Sequence, residues 1–356
     1  MTEARKLDHI MAALLEDVEA GSAWFEYVDL VHDCVPELNL DDVDLETEML
    51  GYRLAAPIVV VGMTGGTGLA TELNERLARA ANEVGVAVGV GSQRAALERP
   101  ELKETFAVVR DAAPDVPVIA NIGASQLVMG LRREELLDLV EMVGADAVAV
   151  HLNPLHEAVQ REGEPVYRGV VDGIRRLVRE SPRPVIVKET GAGVSSEAAR
   201  KLVETGIYGL DVGGLGGTSF PKVEALRSRV HGDPTVDVEV AMTFAEWGIP
   251  TAASILEVRS VSRGVRLIAT GGIRSGLDMA KALRLGADYC GVALPLLRAA
   301  FERGYEGVRD RLLRYIRELR IALFLTGSRT TEELRRRPVV IRGDLKEWVE
   351  WRELRV

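Results

Sequence analysis

The sequence predicts a (β/α)8 barrel, and three observations support this fold class. Eight short runs rich in Val, Ile and Ala recur between residues 57 and 294. Between them lie segments with the apolar period of amphipathic helices, as alternating strands and helices require. Glycine accounts for 35 of the 356 residues and clusters where several runs end, which is typical of strand ends that approach a ligand closely. A doubly wound open sheet is the structural alternative.

The eight predicted strands are apolar throughout, whereas half-exposed strands alternate between apolar and polar residues. A parallel sheet that is covered on both faces requires this continuous pattern. The runs occupy residues 57–63, 86–92, 117–123, 146–152, 184–189, 208–214, 266–272 and 288–294. Their number matches a closed barrel.

The predicted helices fill the intervals between these strands. Leu73, Leu77, Ala80, Ala81 and Val84 follow the spacing of one buried helix face. Segment 248–259 is also predicted to be helical, because a strand there would be a ninth and the predicted barrel has eight.

The barrel is expected to span residues 51–303, between two extensions. Residues 1–50 form an N-terminal extension with a helix at about 5–20. Residues 304–356 form a helical C-terminal extension, with an amphipathic helix over 312–323 and a last helix near 346–355.

Composition excludes several classes of function. The chain has 44 basic and 54 acidic residues, a net charge of −10, so its average field repels nucleic acid and anionic membranes. Two cysteines, Cys34 and Cys290, cannot form a disulfide framework or a four-ligand zinc site. We expect no secretion signal, since the N-terminal residues MTEARKLDHI lack an apolar core, and no membrane span, since no apolar run approaches about 18 residues. A cytoplasmic location is therefore expected.

Polar residues follow the predicted strands at their carboxyl ends, where barrels of this kind hold their active sites. A core needs none of these groups, so their convergence predicts a sizeable polar ligand. They are Met63, Thr64 and Gly65; Ser92, Gln93 and Arg94; Asn121; His151 and Asn153; Lys188 and Glu189; Gly213 to Thr218; and Gly271 to Arg274.

Three features suggest anion binding. Segment 270–276 would present backbone N–H groups at a helix N-terminus after the seventh strand, the usual phosphate position in barrels, although a plain glycine turn is the alternative. Arg94 is suited to bidentate phosphate binding. Lys188 could stabilise a reduced flavin, form a Schiff base or be an ordinary charge at the barrel mouth.

Two further polar clusters have more than one interpretation. In loop 151–163, Glu157 suits Mg²⁺, which commonly takes one protein carboxylate, but scattered polar residues also suit a surface loop. Arg5, Lys6 and His9 form a basic cluster, for which spacing alone favours a solvated helix start over a binding site.

An ordered set of motifs resembles the type 2, FMN-dependent isopentenyl-diphosphate isomerases over nearly the whole chain. The motifs are RKLDH (5–9), GMTGG (62–66), GVGSQRAALE (89–98), ANIG (120–123), HLN (151–153), VKE (187–189), GGLGGTS (213–219), TAASILEVR (251–259) and GGIRSGLDMAKAL (271–283). Each motif alone is weak, but the ordered set is specific.

The resemblance implies an FMN-binding barrel that interconverts isopentenyl and dimethylallyl diphosphate by a 1,3-proton shift. It implies that the enzyme uses Mg²⁺ and reduced FMN, which is usually generated with NAD(P)H, and that the reaction causes no net redox change. It also implies a homotetramer or homo-octamer. The rival interpretations are an FMN-dependent oxidoreductase of the 2-hydroxy-acid or dihydroorotate type and a barrel that only stores flavin. The basic residues Arg5 and Lys6 near the N-terminus, together with Glu157, favour the isomerase interpretation.

Carried over by residue, the resemblance implies three groups of contacts. FMN would be held by Met63, Thr64, Gly65, Ser92, Asn121, Lys188, Thr218, Gly271, Ile273, Arg274, Ala293 and Leu294. Substrate would be held by Arg5, Lys6, His9, Ser92, Gln93, Arg94, His151 and Asn153, and Mg²⁺ by Glu157. Lys188 would supply the electrostatic stabilisation of the flavin.

The chain departs from the family pattern at His156, where the family usually has glutamine. Histidine can ionise near neutrality, whereas glutamine cannot. We hypothesise that His156 keeps the substrate contact and is a candidate for proton transfer. The alternative is that it only preserves a hydrogen bond while reduced flavin performs the acid–base chemistry.

Overall fold

In a computed structural model, which describes residues 2–231 and 237–354, eight parallel strands form a closed barrel. Short strands β1 (Val28–Leu30), β2 (Thr47–Met49) and β3 (Tyr52–Leu54) precede it, and β12 (Val339–Ile341) follows it. The barrel strands are β4 (Ile58–Val60), β5 (Ala87–Gly89), β6 (Val118–Gly123), β7 (Ala147–Leu152), β8 (Val185–Glu189), β9 (Gly209–Asp211), β10 (Arg266–Ala269) and β11 (Tyr289–Val292).

The closure of the barrel confirms the predicted fold class and excludes the open sheet. β11 pairs in parallel with β4, with Cys290 opposite Ile58 and Val292 opposite Val60. Each predicted run contains one strand, and the strands are shorter than the runs. The residues beyond the last ladder pairs leave the sheet and surround the barrel mouth.

Helices surround the barrel and extend it at both ends. They are α1 (Thr2–Leu15), α2 (Gly68–Val84), α3 (Arg94–Glu98), α4 (Glu104–Ala112), α5 (Ala124–Val128), α6 (Arg133–Met142), α7 (Pro154–Val159), α8 (Val170–Glu180), α9 (Ser196–Val203), α10 (Phe220–His231), α11 (Val238–Thr243), α12 (Thr251–Val261), α13 (Gly276–Leu285), α14 (Leu294–Leu325), α15 (Thr331–Leu334) and α16 (Gly343–Trp351).

The helix predictions are confirmed, with shifts at the ends. All five apolar residues of the predicted face in α2 are buried. Segment 248–259 is helical as α12, and its residues 251–258 are buried. α1 ends at Leu15, five residues before the predicted end, because the acidic residues Glu16, Asp17 and Glu19 are unfavourable at the negative end of a helix dipole.

The amino end of the barrel is closed by apolar packing, so the barrel opens only at the carboxyl ends of its strands. Inward side chains such as Val59, Ile119 and Ile186 pack against Met49 and Leu54 of the β2–β3 hairpin. The filled interior directs any ligand to the opposite mouth.

The two extensions pack on this scaffold. α1 lies against α10 and α14 near the barrel mouth, and β1 pairs antiparallel with β12. No helix in the described part of the chain is long and apolar enough to span a membrane. The division at residues 51 and 303 stays a prediction.

A buried carboxylate ties the C-terminal extension to the barrel. The Glu257 side chain, on α12, is fully buried. Its Oε1 accepts hydrogen bonds from Trp348 Nε1 (2.9 Å) and Arg352 Nε (2.8 Å), and its Oε2 accepts one from Ser196 N (2.9 Å). The Glu257 carboxylate of α12 therefore binds residues at the start of α9 and at the end of α16.

Replacing Arg352 with methionine should lower the free energy of unfolding by about 2 kcal/mol, because a buried carboxylate would lose its cation. Urea unfolding at neutral pH measures the change. Arg303→Met, at an exposed ion pair with Asp310, is the matched control and should leave stability unaltered. Equal stability of the two variants would contradict this role for Arg352.

Candidate active site

A cavity of about 350 Å³ lies at the carboxyl ends of the barrel strands, where the sequence predicts the site. The structure brings 19 of the predicted site residues together in its lining. They are Lys6, His9, Met63, Thr64, Gly65, Ser92, Arg94, Asn121, His151, Asn153, His156, Glu157, Lys188, Thr218, Gly271, Ile273, Arg274, Ala293 and Leu294.

Two predicted residues are not placed there. Arg5 lies within α1, but its side chain is outside the part of the chain that the structure describes. Gln93 is fully buried away from the cavity: its Nε2 donates to Leu139 O (3.0 Å) and its Oε1 accepts from Asn121 N (3.0 Å). In this structure Gln93 fixes the neighbouring strand and does not offer its side chain to a substrate.

One end of the cavity is built to hold an anion. Ser275 caps α13, accepting from Asp278 N at 3.1 Å, and Leu294 begins α14, so two helix N-termini face this end. Within residues 2–231 and 237–354, the backbone N–H groups of Gly272 and Ile273 have no hydrogen-bond acceptor. Backbone donors left open beside helix N-termini are suited to a phosphate group.

Close backbone packing explains the glycine at position 272. Gly272 has a φ of +71°, and a Cβ there would lie 2.6 Å from Ala23 Cβ and from Gly216 O. A larger residue would therefore displace the loop that presents the open N–H groups.

In the middle of the cavity, hydrogen bonds order Asn121 and His151. Asn121 Nδ2 donates to Val90 O (3.2 Å), so its Oδ1 accepts from His151 Nδ1–H at 2.9 Å. Burial, aided by the charge of Lys188, lowers the pKa of His151 to about 3. His151 is therefore neutral at physiological pH, and its Nε2 is left as an acceptor.

Lys188 brings a positive charge to the same part of the cavity. It lies on β8 with His151 of β7 and Asp211 of β9 as its register partners. Across the described ranges, no carboxylate lies within 4.0 Å of the Lys188 ammonium group. Its charge can therefore act on a group bound in the cavity.

Glu189, the next residue along β8, is a buried carboxyl group in the cavity wall. Its Oε2 accepts hydrogen bonds from Gly191 N (2.6 Å) and Ala192 N (2.5 Å). Burial raises the pKa of Glu189 to about 8, although these backbone hydrogen bonds favour the charged form.

This raised pKa predicts a pH-dependent stability difference between the protein and Glu189→Gln. The folded pKa of about 8 exceeds the ordinary value of 4.5, so the stability of the protein relative to the variant is highest below pH 4.5 and falls until about pH 8. The slope should be at most about 1.4 kcal/mol per pH unit.

Urea unfolding across this pH range measures the difference. Glu204→Gln, at an exposed position, is the control and should follow the protein at every pH. Parallel stability curves for the protein and Glu189→Gln would contradict the raised pKa.

At the other end of the cavity, His9 of α1 and His156 of α7 meet Glu224 of α10. Both Nε2 atoms lie 2.8 Å from Glu224 Oε1, and Arg227 Nη1 lies 2.6 Å from Oε2. Burial lowers the pKa of His9. Burial opposes ionisation of Glu224, but hydrogen bonds from His156 and His9 hold the pKa of Glu224 below its usual range.

Sequence reasoning missed Glu224. The only signal available was weak, a carboxylate between the apolar residues Val223 and Ala225, all three of which are buried. That pattern cannot identify partners that lie 68 and 215 positions away along the chain.

Glu157 and Arg94 are each held by hydrogen bonds near this end. Glu157 Oε1 accepts from Asn153 Nδ2 (2.8 Å) and Oε2 accepts from Glu164 N (2.7 Å). Arg94 makes a bidentate ion pair with Glu164, in which Nη1 donates to Oε2 (2.8 Å) and Nη2 donates to Oε1 (3.2 Å). The Glu157 carboxylate suits Mg²⁺, which commonly takes one protein carboxylate, and the Arg94 geometry fits two oxygens of a phosphate.

Comparisons with known proteins agree with this geometry. Residues 155–341 match the family model of FMN-dependent dehydrogenases. An isopentenyl-diphosphate delta-isomerase of Ignicoccus hospitalis is 47% identical over 98% of this chain and 96% of its own length. The isomerase of Methanothrix thermoacetophila is 50% identical over 99% of this chain and 96% of its own.

A solved structure of a mandelate oxidase variant shares the fold. It covers 94% of this chain and 95% of its own, with a TM-score of 0.62 and 20% sequence identity. The closed barrel and the family match define the class: a flavin-binding (β/α)8 barrel. Within that class, the chain belongs to the isopentenyl-diphosphate delta-isomerase family.

Proposed function

We propose that this chain interconverts isopentenyl and dimethylallyl diphosphate by a 1,3-proton shift with no net redox change. The observation that carries the proposal is the joint lining of one cavity by the anion-binding loop, Lys188 and the polar cluster around His9 and Glu157. The names of the relatives support this activity and do not support the oxidoreductase alternative.

The residues present fit FMN. The open N–H groups of Gly272 and Ile273, with Arg274, Ala293 and Leu294, would hold its phosphate. Bound and reduced, FMN supplies the groups that donate and accept the protons of the shift. The remaining flavin contacts would come from Met63, Thr64, Gly65, Ser92, Asn121, Lys188 and Thr218.

Lys188 has the central electrostatic role in this proposal. Its ammonium group would stabilise negative charge on the reduced ring, where exclusion of water strengthens the attraction. His151, neutral and held by Asn121, adds no second positive charge beside it.

The diphosphate of the substrate would bind at the other end of the cavity. Lys6, Arg94 and His9 would contact it, with Ser92, His151 and Asn153 nearby and Glu157 as the protein ligand of Mg²⁺. The resemblance also implies a contact from Arg5. Binding energy from this remote group would hold the small apolar alkene in place. His156 would contact the substrate in place of the family's glutamine.

The proposal also includes features that the resemblance implies. NAD(P)H would reduce the flavin, the protein would act in the cytoplasm, and copies would assemble as a homotetramer or homo-octamer. Exposed apolar side chains on α14, Leu313, Ile321 and Leu325, support association between copies. Sedimentation analysis measures the order of assembly.

Anaerobic turnover tests the function. The FMN-loaded protein is reduced with light or dithionite, mixed with isopentenyl diphosphate and Mg²⁺, and assayed for dimethylallyl diphosphate. We expect many turnovers while the flavin stays reduced. The proposal would be overturned if the purified protein did not bind FMN, or if 2-hydroxy acids reduced the flavin and no isomerisation occurred.

A further inference from the structure

The cluster of His9, His156 and Glu224 has the composition and spacing of a transition-metal site. One ligand atom from each residue can be chosen so that all three lie within 4.8 Å of one another. His9 Nε2 and His156 Nε2 each lie 2.8 Å from Glu224 Oε1, and the three residues are brought together from α1, α7 and α10. Two imidazole nitrogens and one carboxylate oxygen suit Zn²⁺ and the neighbouring divalent ions of the first transition series.

The two distances to Glu224 require only a small adjustment, whereas the histidine ligand atoms, within 4.8 Å of each other, would approach by up to about 1.5 Å. With metal–ligand bonds of about 2.0–2.1 Å, neighbouring ligands of a tetrahedral ion lie roughly 3.3 Å apart. Each histidine nitrogen now lies 2.8 Å from Glu224 Oε1, so the contacts would open by about half an ångström. The His9 and His156 side chains are part-buried at the cavity wall, which gives an ion access to them.

The surrounding groups hold the ligands and favour a cation. The Phe220 ring stacks on His156 with ring centroids 4.4 Å apart. Arg227 binds the other oxygen of Glu224, leaving Oε1 directed at the histidines, and also pairs with Glu162 (3.0 Å) and Asp8 (3.7 Å). Glu224, which both histidines share, supplies a negative charge that attracts a divalent ion. Groups that fix the ligands in this way raise metal affinity.

We propose that His9, His156 and Glu224 bind one Zn²⁺-type ion, with a coordination position open to the cavity. The site is separate from Glu157, the proposed Mg²⁺ ligand, since imidazole ligands suit Zn²⁺ and oxygen ligands suit Mg²⁺. His156 completes it, because glutamine at this position would leave a single imidazole. With the ion bound, His9 and His156 would reach the diphosphate through the open coordination position and not directly. Zinc binding itself does not depend on isomerase activity.

Calorimetric titration with zinc chloride tests the site. The FMN-loaded protein is treated with chelator and titrated in excess Mg²⁺, so that oxygen-only sites are occupied. We expect one equivalent of tight binding in the protein and at least ~100-fold weaker binding in His156→Gln. His32→Gln removes an exposed histidine elsewhere and should bind zinc as the protein does. Flavin absorbance and circular dichroism establish that each variant is folded.

Anomalous diffraction at the zinc edge locates the ion. A peak among His9, His156 and Glu224 is expected. Failure to bind zinc in excess Mg²⁺, equal affinity in His156→Gln, or a peak at another position would overturn the proposal. Turnover is not measured in either experiment, so an inactive isomerase that binds zinc here would contradict only the proposed function.

Discussion

Replacing Lys188 with methionine should lower kcat for isomerisation by up to about 10³-fold. A unit charge about 4 Å away contributes roughly 4 kcal/mol at the effective dielectric of a protein site. This interaction energy lowers kcat to the extent that negative charge near Lys188 is greater in the transition state than in the bound ground state, so about 10³-fold is the upper limit. Anaerobic assays with saturating FMN and substrate measure the change in kcat.

The flavin midpoint potential gives an independent measurement of the same charge. It should fall in Lys188→Met by some tens of millivolts, because about 1.4 kcal/mol corresponds to 30 mV for a two-electron couple. Lys346→Met, on the exposed face of α16, is the control and should change neither quantity. An unchanged potential in Lys188→Met would contradict the electrostatic role.

Glu224→Gln should reduce kcat/KM by at least about 100-fold, because one buried carboxylate orients two proposed substrate contacts. A neutral amide loses the charge that binds Arg227, and it cannot accept from both histidines as strongly. His9 and His156 would then lose the hydrogen-bond acceptor that orients both of them. Steady-state kinetics with isopentenyl diphosphate measure the loss.

Two controls distinguish this role from a general loss of structure. Glu239→Gln, on the exposed side of α11, should retain full activity. The flavin spectrum of Glu224→Gln should match that of the protein, since no predicted flavin contact bonds to Glu224. Near-normal kcat/KM in Glu224→Gln would show that the two histidines do not need this acceptor.

The sequence predicts the barrel because the patterns that indicate its strands and helices are local in the chain. Eight continuous apolar runs, such as 146–152 and 184–189, can be recognised within a few residues each, and the burial of both sheet faces demands that pattern. The same reasoning locates the anion loop at 270–276, since glycine and the cap Ser275 are neighbours in the chain. Strand ends meet at one mouth, so most of the cavity lining could be inferred.

Only the tertiary structure decided which side chains face each other. Gln93 follows a predicted strand in the same way as Ser92 and Arg94, yet it turns into the protein and binds the backbone of β6. Glu224 gives little sequence signal, yet it joins helices that are distant in the chain. Periodicity determines which residues become strand or helix, whereas partners across the cavity depend on how those elements pack, which no local pattern encodes.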